Sequence, residues 1–251
     1  MNGIAGAVLA PALHGRLVER DRVDARTQDA MHALLSRHFA GVDRATFDAD
    51  LAAKTAVILL EDDDGLLHGF STLLVSPFAA GDRRLTIVYS GDTIVERPWW
   101  GSPALARSWI AGVRRLTAGA APADVFWLLL TSGFRTYRFL PVFYRAFYPN
   151  PNAPTPPETQ QLIDGVARDR FGAGYDAAAG VVRLPRPQVL AGALLDVPPG
   201  RARDPHVRFF LARNPGYVRG DELVCWTSIA DDNLTPAGRR MTRAGGRAAC
   251  R

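Results

Sequence analysis

Side chains able to do chemistry gather in one stretch, LTIVYSGDTIVERPWWGSPAL, from Leu85 to Leu105. Asp92 and Glu96 stand four residues apart on a strand-like run, so their side chains share a face. An inward carboxylate on an otherwise apolar strand is costly without a partner, and a perturbed carboxyl group in a cleft signals a functional site. Ser90-Gly91 precede Asp92, and a glycine there marks a bulge that splays the strand for a ligand. This favours Asp92 over Glu96; the alternative is a solvated face, or pairing with Arg97 or Arg135. Arg97 opens the turn Arg97-Pro98-Trp99-Trp100-Gly101, after which Ser102 is a good N-cap and Pro103 suits the first helical position. The first helical N–H groups lack partners and the dipole favours negative charge. The turn is therefore either an anion site or an ordinary strand-to-helix connection.

Other chemistries find little support. His14, His32, His38, His68 and His206 are scattered, and His32 and His38 do not share a helix face, so no metal site is expected. His68 lines a cleft or is a half-exposed strand histidine. No Gly-x-Ser-x-Gly, P-loop or paired-cysteine motif is present.

The elements that must position these groups follow from periodicity. Leu85–Val95 reads as a strand and ALARSWIAGVRRL, from Ala104, as an amphipathic helix. Asp124–Thr131 is a near-continuous apolar run, as in a strand covered on both faces. Thr136–Tyr148 (TYRFLPVFYRAFY) reads as an aromatic-rich helix. Upstream lie a strand or short helix near Ala12–Val18, a helix capped by Asp24, and a short helix at Ala45–Lys54. A strand at Ala56–Glu61, an Asp62–Gly65 turn and a return strand at Leu66–Ser76 follow.

Beyond the proline-rich Pro149–Pro157, a helix is expected at Glu158–Phe171 and a short strand at Gly180–Leu184. A helix from Asp204 to Arg213 and a last strand at Glu222–Ile229 complete the list. The order predicts an α/β (α+β) fold with a mixed central sheet of about six to seven strands and helices on both faces. Residues 1–150 form its core, 151–235 complete or flank the sheet, and 236–251 form a disordered tail.

Composition narrows the setting. The chain has 251 residues, 47% of them hydrophobic and 22% charged, an ordinary globular balance. No apolar run approaches the ~20 residues needed to span a bilayer, and the N-terminal stretch lacks the positive start of a secretory signal. Cys225 and Cys250 read as free thiols of a reducing cytoplasm. The net charge of +5 is almost wholly arginine, since Lys54 is the only lysine. This is either the bias of a GC-rich bacterial genome or a surface for an anionic partner, an acidic carrier protein included. No basic run with interleaved aromatics points to nucleic acid.

The element order, Gly69-Phe70 on the return strand, the Arg97–Ser102 turn and the Phe143-Tyr144 pair together resemble the GNAT superfamily of N-acetyltransferase-like acyl-CoA transferases. The resemblance covers about residues 25–150. It implies acyl transfer from acyl-CoA, or from the phosphopantetheine of an acyl carrier protein, to a small-molecule amine acceptor. It places the donor on Val95, Arg97, Trp100, Gly101, Ser102, Ser132 and Arg135, with Asp92 or Glu96 as base and Tyr144 as acid. Tyr144 could equally pack in the core with Phe139, Phe143 and Phe147. Trp100 departs from the family loop, where a glycine lets the backbone approach phosphate. The alternatives are a carrier-protein-dependent N-acyl amino acid or homoserine lactone synthase-like enzyme, and a non-catalytic acyl-CoA-binding module.

Overall fold

The computed structural model describes residues 12–244. Its elements in chain order are β1 (His14–Glu19), α1 (Ala25–His38), β2 (Phe39–Ala40), α2 (Arg44–Ala52), β3 (Ala56–Glu61), β4 (Leu67–Ala80) and β5 (Arg83–Val95). Then come α3 (Ala104–Leu116), β6 (Val125–Thr131), α4 (Phe134–Tyr137), α5 (Phe139–Phe143), α6 (Pro157–Phe171), β7 (Tyr175–Asp176) and β8 (Val181–Val182). The last are β9 (Val189–Leu190), α7 (Pro205–Arg213), β10 (Glu222–Ser228) and α8 (Pro236–Ala244).

Local chemistry starts and stops these elements. Asp24 caps α1 by accepting from the Thr27 N–H at 2.7 Å, and Asp43 caps α2 by accepting from Thr46 at 2.8 Å. Asp62 accepts from the N–H groups of Asp64 and Leu66 and so closes the turn between β3 and β4.

Eight strands form one sheet in the order β1-β3-β4-β5-β6-β10-β8-β7. Among the described residues β5 and β6 are its one parallel pair, with α3 as the crossover. On β5, Val88 faces the core built by α3, while Ile87 and Tyr89 face Ile163 and Val166 of α6. Met31, Leu34 and Leu35 of α1, with Phe47 and Leu51 of α2, close that second face over β3 and β4.

Three expectations change. The sheet has eight strands rather than six to seven: β8 is the short strand expected at Gly180–Leu184, and β7 is a two-residue pairing that carries no periodicity. Thr136–Tyr148 is not one helix but the short α4 and α5, the latter holding Pro141; the chain turns extended at Tyr144. Within 236–251, expected as a disordered tail, Pro236–Ala244 form α8 against α3 and α5. Cys250 and the rest of that stretch lie outside the described residues.

Candidate active site

β5 and β6 pair from Thr86↔Val125 to Ser90↔Leu129 and then part. A cavity of about 830 Å³ occupies the gap. Ser90 anchors the point of divergence: its buried hydroxyl accepts from the indole N–H groups of Trp109 at 3.0 Å and Trp127 at 2.9 Å.

Just past Ser90, β5 bulges. Ser71 of β4 pairs with Thr93 and Leu73 with Ser90, so Gly91 and Asp92 both stand opposite Thr72. The extra residue reverses the alternation. Asp92 thereby joins the face of Tyr89 and Ile94 rather than that of Ser90. Only glycine fits at position 91, where a Cβ would lie 2.7 Å from Thr72 Oγ1 and 2.9 Å from Lys54 Cε.

Three carboxylates from three elements enter the cavity wall: Asp50 of α2, Asp92 of β5 and Glu222 of β10. Asp92 makes no hydrogen bond to any described residue. Burial pushes its pKa up to about 7; Asp50 and Glu222 add to the rise and Lys54 opposes it. Lys54 Nζ lies 2.5 Å from both carboxylate oxygens of Asp50 and 5.2 Å from the centroid of the Tyr89 ring. Burial lowers the Lys54 pKa, and Asp50 and Asp92 counter that. Glu222 accepts a hydrogen bond from Ser132 Oγ at 2.5 Å, and burial raises its pKa.

At the other end, Gly101, Ser102, Pro103, Leu105 and Ala106 bring the start of α3 into the wall. Pro103, not Ser102, holds the cap position, yet Ser102 Oγ still accepts from the Ala104 N–H at 3.2 Å. The Trp100 indole folds back and donates to the Val95 carbonyl at 2.8 Å. The Arg135 guanidinium lies 4.6 Å from the Trp100 ring centroid, bridging the turns that follow β5 and β6. Burial and the nearby Arg97 both lower the Arg135 pKa. Arg97 itself is exposed. Two guanidiniums beside a helix N-terminus make a region suited to an anion.

Asp92, Val95, Trp100, Gly101, Ser102, Ser132 and Arg135 thus meet around one cavity, while Arg97 stands at its outer edge. Glu96 does not join them. It lies past the end of β5, 2.7 Å from His68 Nδ1 and 3.0 Å from Arg37, and is consumed by those pairings. Tyr144 is a correction. It is buried outside the cavity wall, its ring 5.8 Å from that of Trp127, and burial raises its pKa well above the ordinary value. The charge that acts on its hydroxyl is Arg114, about 15 Å of helix beyond the start of α3. Its place in the core follows from α5 stopping at Phe143, after which the chain turns extended.

Sequence reasoning missed Asp50, Lys54 and Glu222. The signals were present: Lys54 is the single lysine of an arginine-rich chain, and Glu222 opens an apolar strand. Among the described residues, no group of three or more His, Cys, Asp or Glu side chains could hold a metal ion, and no helix is long and apolar enough to cross a membrane.

No family model matches the chain, and no curated protein does. Solved structures match about half of it. One is a conserved protein of unknown function from Enterococcus faecalis, a probable N-acyltransferase, at 11% identity over 53% of this chain and 33% of that one, with a TM-score of 0.40. Another is the Escherichia coli GNAT family N-acetyltransferase YhbS in complex with CoA, at 21% identity, 49% and 66% coverage and a TM-score of 0.35. A third is Arabidopsis thaliana NAA60 with acetyl-CoA, at 13% identity, 54% and 89% coverage and a TM-score of 0.39. The chain spans about a third of the length of the first and about two thirds of the second. With every score below 0.5, the architecture stands on its own topology: a meander, one parallel pair joined through α3, and a splay between its strands. The fold is GNAT-like. In this GNAT-like fold the stretch after position 150 supplies β10, β8 and β7 and part of the cavity wall.

Proposed function

We propose that this chain transfers an acyl group from a pantetheine thioester to a primary amine. The observation that carries the reading is Asp92, a carboxylate without a hydrogen-bond partner, set in the gap between two splayed parallel strands. The donor arm enters that gap, and its phosphates lie at the start of α3 beside Arg97 and Arg135. An amine reaches the cavity as an ammonium, which has no lone pair. Asp92, with a pKa of about 7, takes that proton. The nitrogen then attacks the thioester carbon, the C–N bond forms, and the C–S bond breaks with its electron pair leaving on sulfur, while the second proton that the nitrogen loses goes to the departing thiolate through solvent. A thiol of ordinary pKa, ~8.5, departs as thiolate without a dedicated acid, so the placement of Tyr144 in the core is no obstacle. A cytoplasmic setting, where such thioesters occur, fits this chemistry.

One observation favours an acyl carrier protein over free CoA as donor. Trp100, hydrogen-bonded to Val95 and covered by Arg135, fills space where a glycine would leave room for a pyrophosphate. A carrier presents a single phosphate, and the arginine-rich surface attracts an acidic partner. A non-catalytic acyl-CoA binder has no use for a base at the splay.

The test is thiol release by purified protein from acetyl-CoA, octanoyl-CoA and octanoyl carrier protein, each with a panel of primary amines. Amine-dependent release supports the reading. Donor binding without release from any of the three would leave a binder, and transfer would be wrong.

A further inference from the structure

The acceptor side of the cavity is walled differently from the donor side. Residues 184–201 run across it, and they are fastened at two places along their length. β9 pairs with β2 through Phe39↔Leu190 and Ala40↔Val189, and the Ala191 N–H donates to the His38 carbonyl at 2.9 Å. Arg135 donates to the carbonyls of Leu194 at 2.6 Å and Asp196 at 3.1 Å. Leu184, Gln188, Leu190 and Leu194 thereby line the space above the carboxylates. A roof held by strand pairing and charge-assisted hydrogen bonds admits a small molecule rather than the terminus of a folded protein.

The cations of this enclosure stand apart from two of its carboxyl groups. Lys54 neutralises Asp50 and is itself wholly covered, and Arg170, 4.0 Å from the centroid of the Tyr89 ring, also stays out of the wall. Arg135, Arg138, Arg186 and Arg201 reach the wall, but Arg138 pairs with Asp204 at 2.9 Å, Arg186 has Asp43 3.8 Å away, and Arg135 donates to the Leu194 and Asp196 carbonyls. None of the four is among the charges that act on Asp92 or Glu222. Two carboxyl groups remain for a ligand. Asp92, without a hydrogen-bond partner, stands on β5; Glu222, held only by the Ser132 hydroxyl, stands on β10, with β6 between them. Two strand spacings separate their backbones by about 10 Å, so the two groups approach a ligand from opposite banks of the gap. A monoamine answers one of them, and the other then stays protonated and forgoes a charge pair that a second ammonium would make.

Taking the acyl-transfer reading as its basis, we infer that the acceptor is a small aliphatic amine carrying a second cationic group, the reacting nitrogen at Asp92 and the distal ammonium at Glu222. The test is calorimetric binding of 1,4-diaminobutane and of n-butylamine, without donor, to the wild-type chain and to Glu222→Gln. Glutamine keeps the shape and the acceptor for Ser132 while removing the charge. The diamine should bind the wild type at least tenfold more tightly than the monoamine, and Glu222→Gln should shrink that ratio below threefold by weakening diamine binding. A wild-type ratio below threefold overturns the inference, as does a ratio that survives in a folded Glu222→Gln. If that variant does not fold, the wild-type ratio decides alone. Because no donor is present, loss of thiol release would count against acyl transfer without altering this result. Equal thiol release with the two amines would overturn the diamine and leave transfer standing.

Discussion

Lys54 lies 2.5 Å from both carboxylate oxygens of Asp50, and its side chain has no solvent-exposed surface. Lys54 also acts on Asp92, whose pKa it holds down against burial and against Asp50 and Glu222. Lys54 is thus the counterweight to the burial and the Asp50 charge that raise the Asp92 pKa.

Removing that counterweight should move the pH profile. The rate falls as pH drops through the Asp92 pKa, because the protonated carboxyl cannot accept a proton. Lys54→Met removes the one influence that lowers this pKa among Asp50, Lys54 and Glu222. The acidic limb of kcat/KM should therefore move above its wild-type midpoint near 7. Steady-state thiol release from pH 5.5 to 9 measures it, and a limb that stays or moves down contradicts the assignment.

Asp92 also makes stability depend on pH. Its folded pKa, about 7, lies above the ordinary carboxylate value of 3.8. The unfolded chain therefore loses this proton first, and the group's stabilising contribution, complete below pH 3.8, is lost as pH rises to 7. Asp92→Asn should match wild type at pH 4 and gain in relative stability up to pH 7, levelling off above, at ~1.4 kcal/mol for each pKa unit spanned. Urea unfolding at pH 4, 5.5, 7 and 8 reads the trend; a flat difference refutes the raised pKa.

The bulge itself can be tested at Gly91. A methyl group there meets Thr72 Oγ1 at 2.7 Å and Lys54 Cε at 2.9 Å, both in buried side chains that must shift to admit it. Gly91→Ala should destabilise by about 1–3 kcal/mol, the range for overpacking. It should also slow thiol release more than it weakens donor binding, since Asp92 moves with the strand. Chemical denaturation and calorimetry separate the two effects.

Tyr144→Phe should leave turnover within about twofold of wild type. The hydroxyl lies outside the cavity wall, and a thiolate of ordinary pKa needs no acid. A loss of 10²–10⁴-fold, the usual range for general catalysis, would return Tyr144 to the mechanism.

Much of the architecture was legible in the chain. Ala56–Glu61 and Leu85–Val95 announced themselves by β-branched runs, and Asp24 and Asp204 cap their helices as their positions imply. Ser90-Gly91-Asp92 correctly marked a bulge, because glycine inside a strand has few other uses. What stayed hidden depends on contacts remote in sequence. Ser132 meets Glu222 across 90 residues, and no local pattern signals that. Glu96 looked equivalent to Asp92 by strand parity, but β5 ends at Val95 and the His68 and Arg37 pairings hold Glu96 elsewhere. Tyr144 followed a helical pattern that ends one residue too early to carry it to the cavity.

The central claim is that Asp92 is the base of an acyl transfer in the gap between β5 and β6. The most direct measurement is amine-dependent thiol release by wild type and Asp92→Asn across pH 5.5–9, with donor affinity measured in parallel. Wild type should show an acidic limb with a midpoint near 7. The variant should lose about 10²–10⁴-fold in turnover and lose the limb, with donor binding nearly unchanged. Wild-type turnover in Asp92→Asn, or a limb that survives the substitution, would contradict it.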